Sequence, residues 1–109
     1  HKYTDSAGED GDFDAKVTEI EWVDSVLPQI LSLNPDVIII TGDHSTPSIE
    51  RSHSSHPVPF MINSLVGRPD SVKCFGERVC AEGMWGILPG RALMPIALGY
   101  TGKVARYGA

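Results

Sequence analysis

A chain of 109 residues, 41% apolar and 21% charged, is long enough for one small globular core and too ordinary in composition to be disordered throughout. Its formal net charge of -5 argues against nucleic acid as a partner, because a phosphate backbone needs a basic face. It suits a site where clustered carboxylates await a cation. The longest apolar run, Val37 to Ile40, is far too short to cross a bilayer, so no membrane partner is expected.

Taken in chain order, His1 to Thr4 reads as the tail of a strand and Asp5 to Asp12 as a loop rich in Gly, Ser and Asp. Val17, Ile20, Val23, Val26, Leu27, Ile30 and Leu31 recur at threes and fours, which predicts a helix with one apolar stripe. Asp12 is its natural N-cap, and Asp14 sits where the helix dipole favours negative charge. Pro28 predicts a kink, and Asn34-Pro35 a stop. Asp36 to Thr41 reads as a strand covered on both faces, as inside a largely parallel sheet. A polar loop runs from Gly42 to Ser55. Val58 to Ile62 is a further strand, whose start Pro57 and Pro59 place at a sheet edge or strand end. Residues 64–89 look irregular, and a last helix from about Gly90 to Tyr100 carries Pro95 as a local defect and ends at Gly102.

The order strand, helix, strand, strand, helix is an α/β pattern. Three strands make a poor sheet when the middle one needs cover on both faces, so further strands are expected from outside these residues. Cys74 and Cys80 read as reduced, inert thiols. Nothing reads as an export signal, and the cytoplasm is the expected compartment.

Two stretches carry chemistry, and ligands gather beyond the carboxyl ends of strands in open α/β sheets. Asp43 and His44 follow the apolar strand directly, with His53 and His56 a short loop further on. Adjacent side chains such as Asp43 and His44 are expected to diverge, which suits two ions better than one. Carboxylate with neutral imidazole suits Mn, Zn or similar cations, whereas oxygen-only sets favour Mg or Ca. Each of these residues alone fits a solvated loop; three of the four histidines in one stretch favour metal binding. In the first stretch Asp5 and Glu9 lie four apart, with Gly8 permitting a bend that turns both toward one cation. Helix-start decoration is the equal alternative for them, and the better one for Asp10 and Asp12.

The motifs Asp5-Ser-Ala-Gly-Glu-Asp-Gly-Asp12, Thr-Gly-Asp43-His44-Ser-Thr-Pro and His53-Ser-Ser-His56-Pro-Val-Pro59 resemble the late metal motifs of cofactor-independent phosphoglycerate mutases of archaeal type, in the alkaline-phosphatase superfamily. Leu93 to Leu98 and the stretch through Tyr107-Gly-Ala109 resemble that family's C-terminus. The resemblance implies an α/β fold: residues 1–109 as the C-terminal part of a three-layer αβα domain with a mostly parallel sheet, incomplete on its own. It implies two divalent ions, manganese first, with magnesium, zinc or cobalt as alternatives. Asp5 and His53 would hold one ion, with Glu9 where the family is expected to carry a ligating His, and Asp43 and His44 the other. His56 would line the site.

By the same resemblance the substrate is a phosphoglycerate, isomerised between its 3- and 2-phospho forms through a phosphoserine in glycolysis and gluconeogenesis. No catalytic residue is assigned within these residues: the nucleophilic Ser and the substrate-holding cations are expected from the N-terminal remainder of a longer chain. A homo-oligomer is compatible with the sequence. A metal-dependent phosphohydrolase of the same superfamily, or a non-catalytic protein keeping a degenerate metal site, stay open as alternatives.

Overall fold

The computed structural model describes residues 1–104; the expected C-terminal match at Tyr107 to Ala109 lies outside them. The chain forms two compact units, one of His1–Asn34 with Asp43–Pro57, the other of Pro35–Gly42 with the chain from Val58 onward.

The first unit opens on helix α1, Lys2–Asp10, where the sequence suggested a strand and a loop. Local chemistry explains the correction. Lys2 reaches Asp5 one turn on, and Thr4 Oγ1 donates to the His1 carbonyl. Gly11, at φ 75°, takes the left-handed conformation that glycine adopts without steric cost. The Gly11 N–H then donates to the Gly8 carbonyl at 3.1 Å and the Asp12 N–H to the Ala7 carbonyl at 2.9 Å, the paired pattern that closes a helix at a left-handed glycine.

Asp12 caps the next helix in turn. Its Oδ1 accepts from the Ala15 N–H at 2.9 Å, so α2, Phe13–Leu31, begins where the sequence placed it. Pro28 does not end α2: the helix continues for three residues to Leu31. The chain breaks away at Asn34, whose φ is 51°. The two helices pack on each other. Residues 43–57 complete the unit as a loop closed by a bridge between Ser45 and Ser54, with the Ser54 N–H donating to the Ser45 carbonyl at 2.9 Å.

In the second unit β1, Val37–Thr41, pairs with β2, Phe60–Ser64. The register sets Val37 opposite Ser64 and Thr41 opposite Phe60. The pair is antiparallel; parallel neighbours for β1 are not among the described residues, and an antiparallel strand on an otherwise parallel sheet is common. β2 starts two residues later than the sequence suggested. Pro57 and Pro59 have no N–H for a ladder, and the Pro59 carbonyl instead accepts from Thr41 Oγ1 at 2.9 Å.

The irregular stretch contains one short helix, α3, Glu77–Cys80. A 3₁₀ turn, Gly90–Ala92, leads into α4, Leu93–Tyr100. Pro95 sits in the first turn of α4, where a missing N–H costs no helical bond, so no defect forms there. Gly102 follows at φ 69°.

The Asp70 carboxylate staples this unit, accepting from the Val72 N–H at 2.9 Å and the Met84 N–H at 3.0 Å. Those two donors, Met84 first, hold its carboxyl below the usual carboxylate range. Such a group stabilises the fold above its unfolded pKa, about 3.9, and that contribution is lost as pH falls through the lowered folded value. Asp70→Asn is therefore expected to lower the stability of the complete protein at pH 7. Its deficit should shrink steadily below about pH 4 in denaturant melts run against the parent. A pH-independent deficit would show that the charge is not what the two N–H groups stabilise.

Candidate metal centre

Among the described residues the buried positions are few: Ala7 and Gly8 on α1, and Ser45 and Thr46 on the loop. They form the junction where α1 meets residues 43–57, and the candidate ligands surround it. Gly8 makes that approach possible. A Cβ built there would lie 2.4 Å from the Thr46 carbonyl oxygen, so only a glycine lets helix and loop backbones come this close. The Lys16 ammonium, from α2, donates to the same carbonyl.

Asp5 and Glu9, at i and i+4 on α1, share one face of the helix, and no bend at Gly8 is needed to bring them together. Asp5 is the centre of the cluster, its side chain 15% exposed. Its Oδ1 accepts from Thr46 Oγ1 at 2.6 Å and stands 3.4 Å from His53 Nε2 and 3.9 Å from His44 Nδ1. Its Oδ2 takes the Lys2 ammonium. The bonds from Lys2 and then Thr46 hold the Asp5 carboxyl well below the usual carboxylate range, and the Lys2 pKa is raised in return. Asp5 is thus ionised at neutral pH.

Glu9 Oε1 lies 3.7 Å from His53 Nε2, and Glu9 Oε2 lies 3.8 Å from Lys2 Nζ. The Ser45–Ser54 bridge returns His53 to His44, their ring centroids 3.9 Å apart and inclined at 31°. Asp43 and His44 do not diverge as expected. Asp43 Oδ2 is 3.6 Å from His44 Nε2, because the His44 N–H donates back to Asp43 Oδ1 at 3.1 Å. His56 is not one of the grouped ligand candidates Asp5, His44 and His53; it is exposed, with its Nδ1 2.7 Å from Ser54 Oγ.

The donor chemistry fits divalent metal. Each of Asp5, His44 and His53 offers a ligand atom within 4.8 Å of the others. Separations of 3.4 to 3.7 Å between carboxylate oxygens and imidazole nitrogens are too long for good hydrogen bonds. They suit donors turned toward a shared cation, Asp5 and Glu9 with His53 in one group and Asp43 with His44 in another. The residue that inspection of the sequence missed is Thr46. It read as an ordinary loop position, yet it is 4% exposed and touches both Asp5 and His44.

Residues 1–99 match the family described as the metalloenzyme superfamily, and the chain belongs to it: an alkaline-phosphatase-like α/β domain, here with a small incomplete sheet, in a superfamily whose chemistry uses divalent metal ions. At the level of particular proteins, the chain is 53% identical over 108 residues to a protein of Thermosipho africanus and 51% identical over 108 residues to one of Deinococcus radiodurans. Both are described as "Probable 2,3-bisphosphoglycerate-independent phosphoglycerate mutase". The matches cover 99% of this chain and 27% and 26% of those proteins. The chain thus spans about a quarter of the length of the curated relatives it matches. A solved structure, "Structure of PH0037 protein from Pyrococcus horikoshii", superposes with a TM-score of 0.88 at 38% identity, over 97% of this chain and 33% of that one. Among the described residues no helix is long and apolar enough to cross a membrane.

Proposed function

We propose that this chain supplies the metal-binding part of a cofactor-independent phosphoglycerate mutase, which interconverts 3- and 2-phosphoglycerate through a phosphoserine in glycolysis and gluconeogenesis in the cytoplasm. The observation that carries the reading is the meeting of Asp5 from α1 with His44 and His53 from the loop, in a chain about half identical to proteins described as such mutases. Asp5, Glu9 and His53 form one ligand set, Asp43 and His44 the other, and residues 1–109 are the C-terminal part of the catalytic domain. His56 lines the site.

Divalent ions, manganese first by the family resemblance, would supply Lewis-acid polarisation of phosphoryl and attacking oxygens when bound. The residues of this chain fix where that polarisation falls: Asp5 stays ionised through Lys2 and Thr46, and the loop bridge holds the two imidazoles side by side. The nucleophilic Ser and the cations that hold a glycerate carboxylate come from the rest of a longer chain.

The test is isomerisation of 3-phosphoglycerate by the complete protein with Mn²⁺ and no added bisphosphoglycerate, followed by ³¹P NMR. Appearance of 2-phosphoglycerate without free phosphate is the expected result. Release of phosphate alone would make the protein a phosphohydrolase, and no reaction with any of Mn²⁺, Mg²⁺, Zn²⁺ or Co²⁺ would end the enzymatic reading.

A further inference from the structure

Thr46 is a short polar residue, yet it is almost wholly buried at 4% exposure, and both its carbonyl and its hydroxyl are engaged. The carbonyl oxygen receives the Lys16 ammonium and packs against Gly8. The hydroxyl Oγ1 lies 2.6 Å from Asp5 Oδ1 and 3.1 Å from His44 Nδ1. A hydroxyl has one proton to give. Asp5, as an ionised carboxylate, only accepts, so the Thr46 proton goes to Asp5. Toward His44 the same oxygen must therefore accept, and the proton in that bond belongs to His44 Nδ1.

A neutral imidazole carries a single N–H. With the proton on Nδ1, the lone pair of His44 is on Nε2, the nitrogen that lies 3.6 Å from Asp43 Oδ2. His44 Nδ1, although 3.9 Å from Asp5 Oδ1, is then no ligand for an ion shared with Asp5. The proton order Asp5, Thr46, His44 thus assigns His44 to the Asp43 side and leaves Asp5 to His53 and Glu9.

We propose that Thr46 is a positioning residue whose hydroxyl joins the two ligand sets, orienting Asp5 in one and fixing the Nδ1–H tautomer of His44 in the other. This rests on the metal-centre reading above and deepens it. Partners that orient a ligand set its tautomer and basicity, and their loss commonly weakens metal affinity by about 10–100-fold. A hydroxyl shared between two sets makes one substitution felt in both.

The test uses the complete protein, with Mn²⁺ titrated calorimetrically into the parent, Thr46→Val and Thr46→Ser. Valine matches threonine in shape and puts a methyl group in place of the hydroxyl; serine keeps the hydroxyl and removes a methyl. The expected result is two ions bound by the parent, both bound about 10–100-fold more weakly by Thr46→Val, and near-parent binding by Thr46→Ser. Weakening of one ion only, unchanged binding by Thr46→Val, or failure of Thr46→Ser to restore binding would overturn the proposal. A second measurement needs no substitution at Thr46. In metal-free parent protein with ¹⁵N-labelled histidine, His44, assigned by the signal lost in His44→Gln, should show a protonated Nδ1 and a bare Nε2; the opposite tautomer overturns the proposal even if Thr46→Val does not fold. Failure of the parent itself to bind any ion would instead defeat the metal-centre reading, and so is told apart from failure of the Thr46 role.

Discussion

Replacing Gly8 by alanine is expected to destabilise the protein and loosen its metal centre, the reverse of what helix propensity alone predicts. In an ordinary helix interior the added methyl group stabilises by about 0.5–1 kcal/mol. Gly99 on α4 tests that baseline, because a Cβ there meets nothing within 4 Å. At Gly8 the same Cβ would stand 2.4 Å from the Thr46 carbonyl oxygen and 3.0 Å from Thr46 Cγ2. The carbonyl is backbone, and Thr46 is fixed from the other side by Lys16, so α1 and the loop must separate. Overpacking of this kind costs about 1–3 kcal/mol, enough to cancel or exceed the helical gain.

Separation also lengthens the 2.6 Å bond from Thr46 to Asp5, so Mn²⁺ affinity should fall along with stability. Denaturant melts of the metal-free complete protein check the first effect, with Gly8→Ala less stable than the parent and Gly99→Ala as stable or more so. Calorimetric titration checks the second. If Gly8→Ala melts like Gly99→Ala and binds Mn²⁺ like the parent, the close approach of α1 to Thr46 does not occur.

This junction also explains what the sequence made legible and what it hid. The candidate side chains were legible from the clustering of carboxylate and imidazole and from the resemblance of their motifs, and Asp5, Glu9, Asp43, His44 and His53 lie near one another. Helix α2 was legible from its apolar recurrence and the Asp12 cap, and β1 from its β-branched run. The opening segment misleads because its Gly, Ser and Asp content is that of a loop while its local pairing is helical. Lys2 with Asp5, and Asp5 with Glu9, already have helical spacing, and Gly11 is placed as a helix-ending glycine.

The start of β2 was misplaced for a different reason. The apolar residues near Val58 fit a strand, but the missing N–H of Pro59 delays the ladder until Phe60. Thr46 could not have been found at all. Its importance lies in a burial created by two segments 30 residues apart, Lys16 and the loop, and one residue's identity does not report on such an approach. The one available hint was Gly8, a glycine flanked by residues that otherwise suit a helix interior.

Asp5→Asn should have the larger functional effect. Asparagine keeps the shape and one acceptor oxygen but removes the negative charge, and in this cluster that charge has several tasks. It faces His53 Nε2 at 3.4 Å, takes the Lys2 ammonium and receives the Thr46 proton. Folding of the metal-free protein should suffer too, because the bonds from Lys2 and Thr46 stabilise the ionised carboxylate, although the pair with Lys2, 71% exposed, contributes little of that. Metal binding should suffer most. Losing even a partner that orients a ligand weakens affinity or activity by about 10–100-fold, so losing a ligand should exceed that range.

In the complete protein, equilibrium dialysis against Mn²⁺ followed by elemental analysis should find the ion of the proposed Asp5 set missing, with the proposed isomerisation reduced more than about 100-fold. The Asp43–His44 set should keep its own ion, bound more weakly, because the Thr46 hydroxyl is still present and has lost only its charged acceptor at Asp5. Retention of both ions at parent affinity would remove Asp5 from the ligands and, with it, the convergence of α1 and the loop on a shared cation.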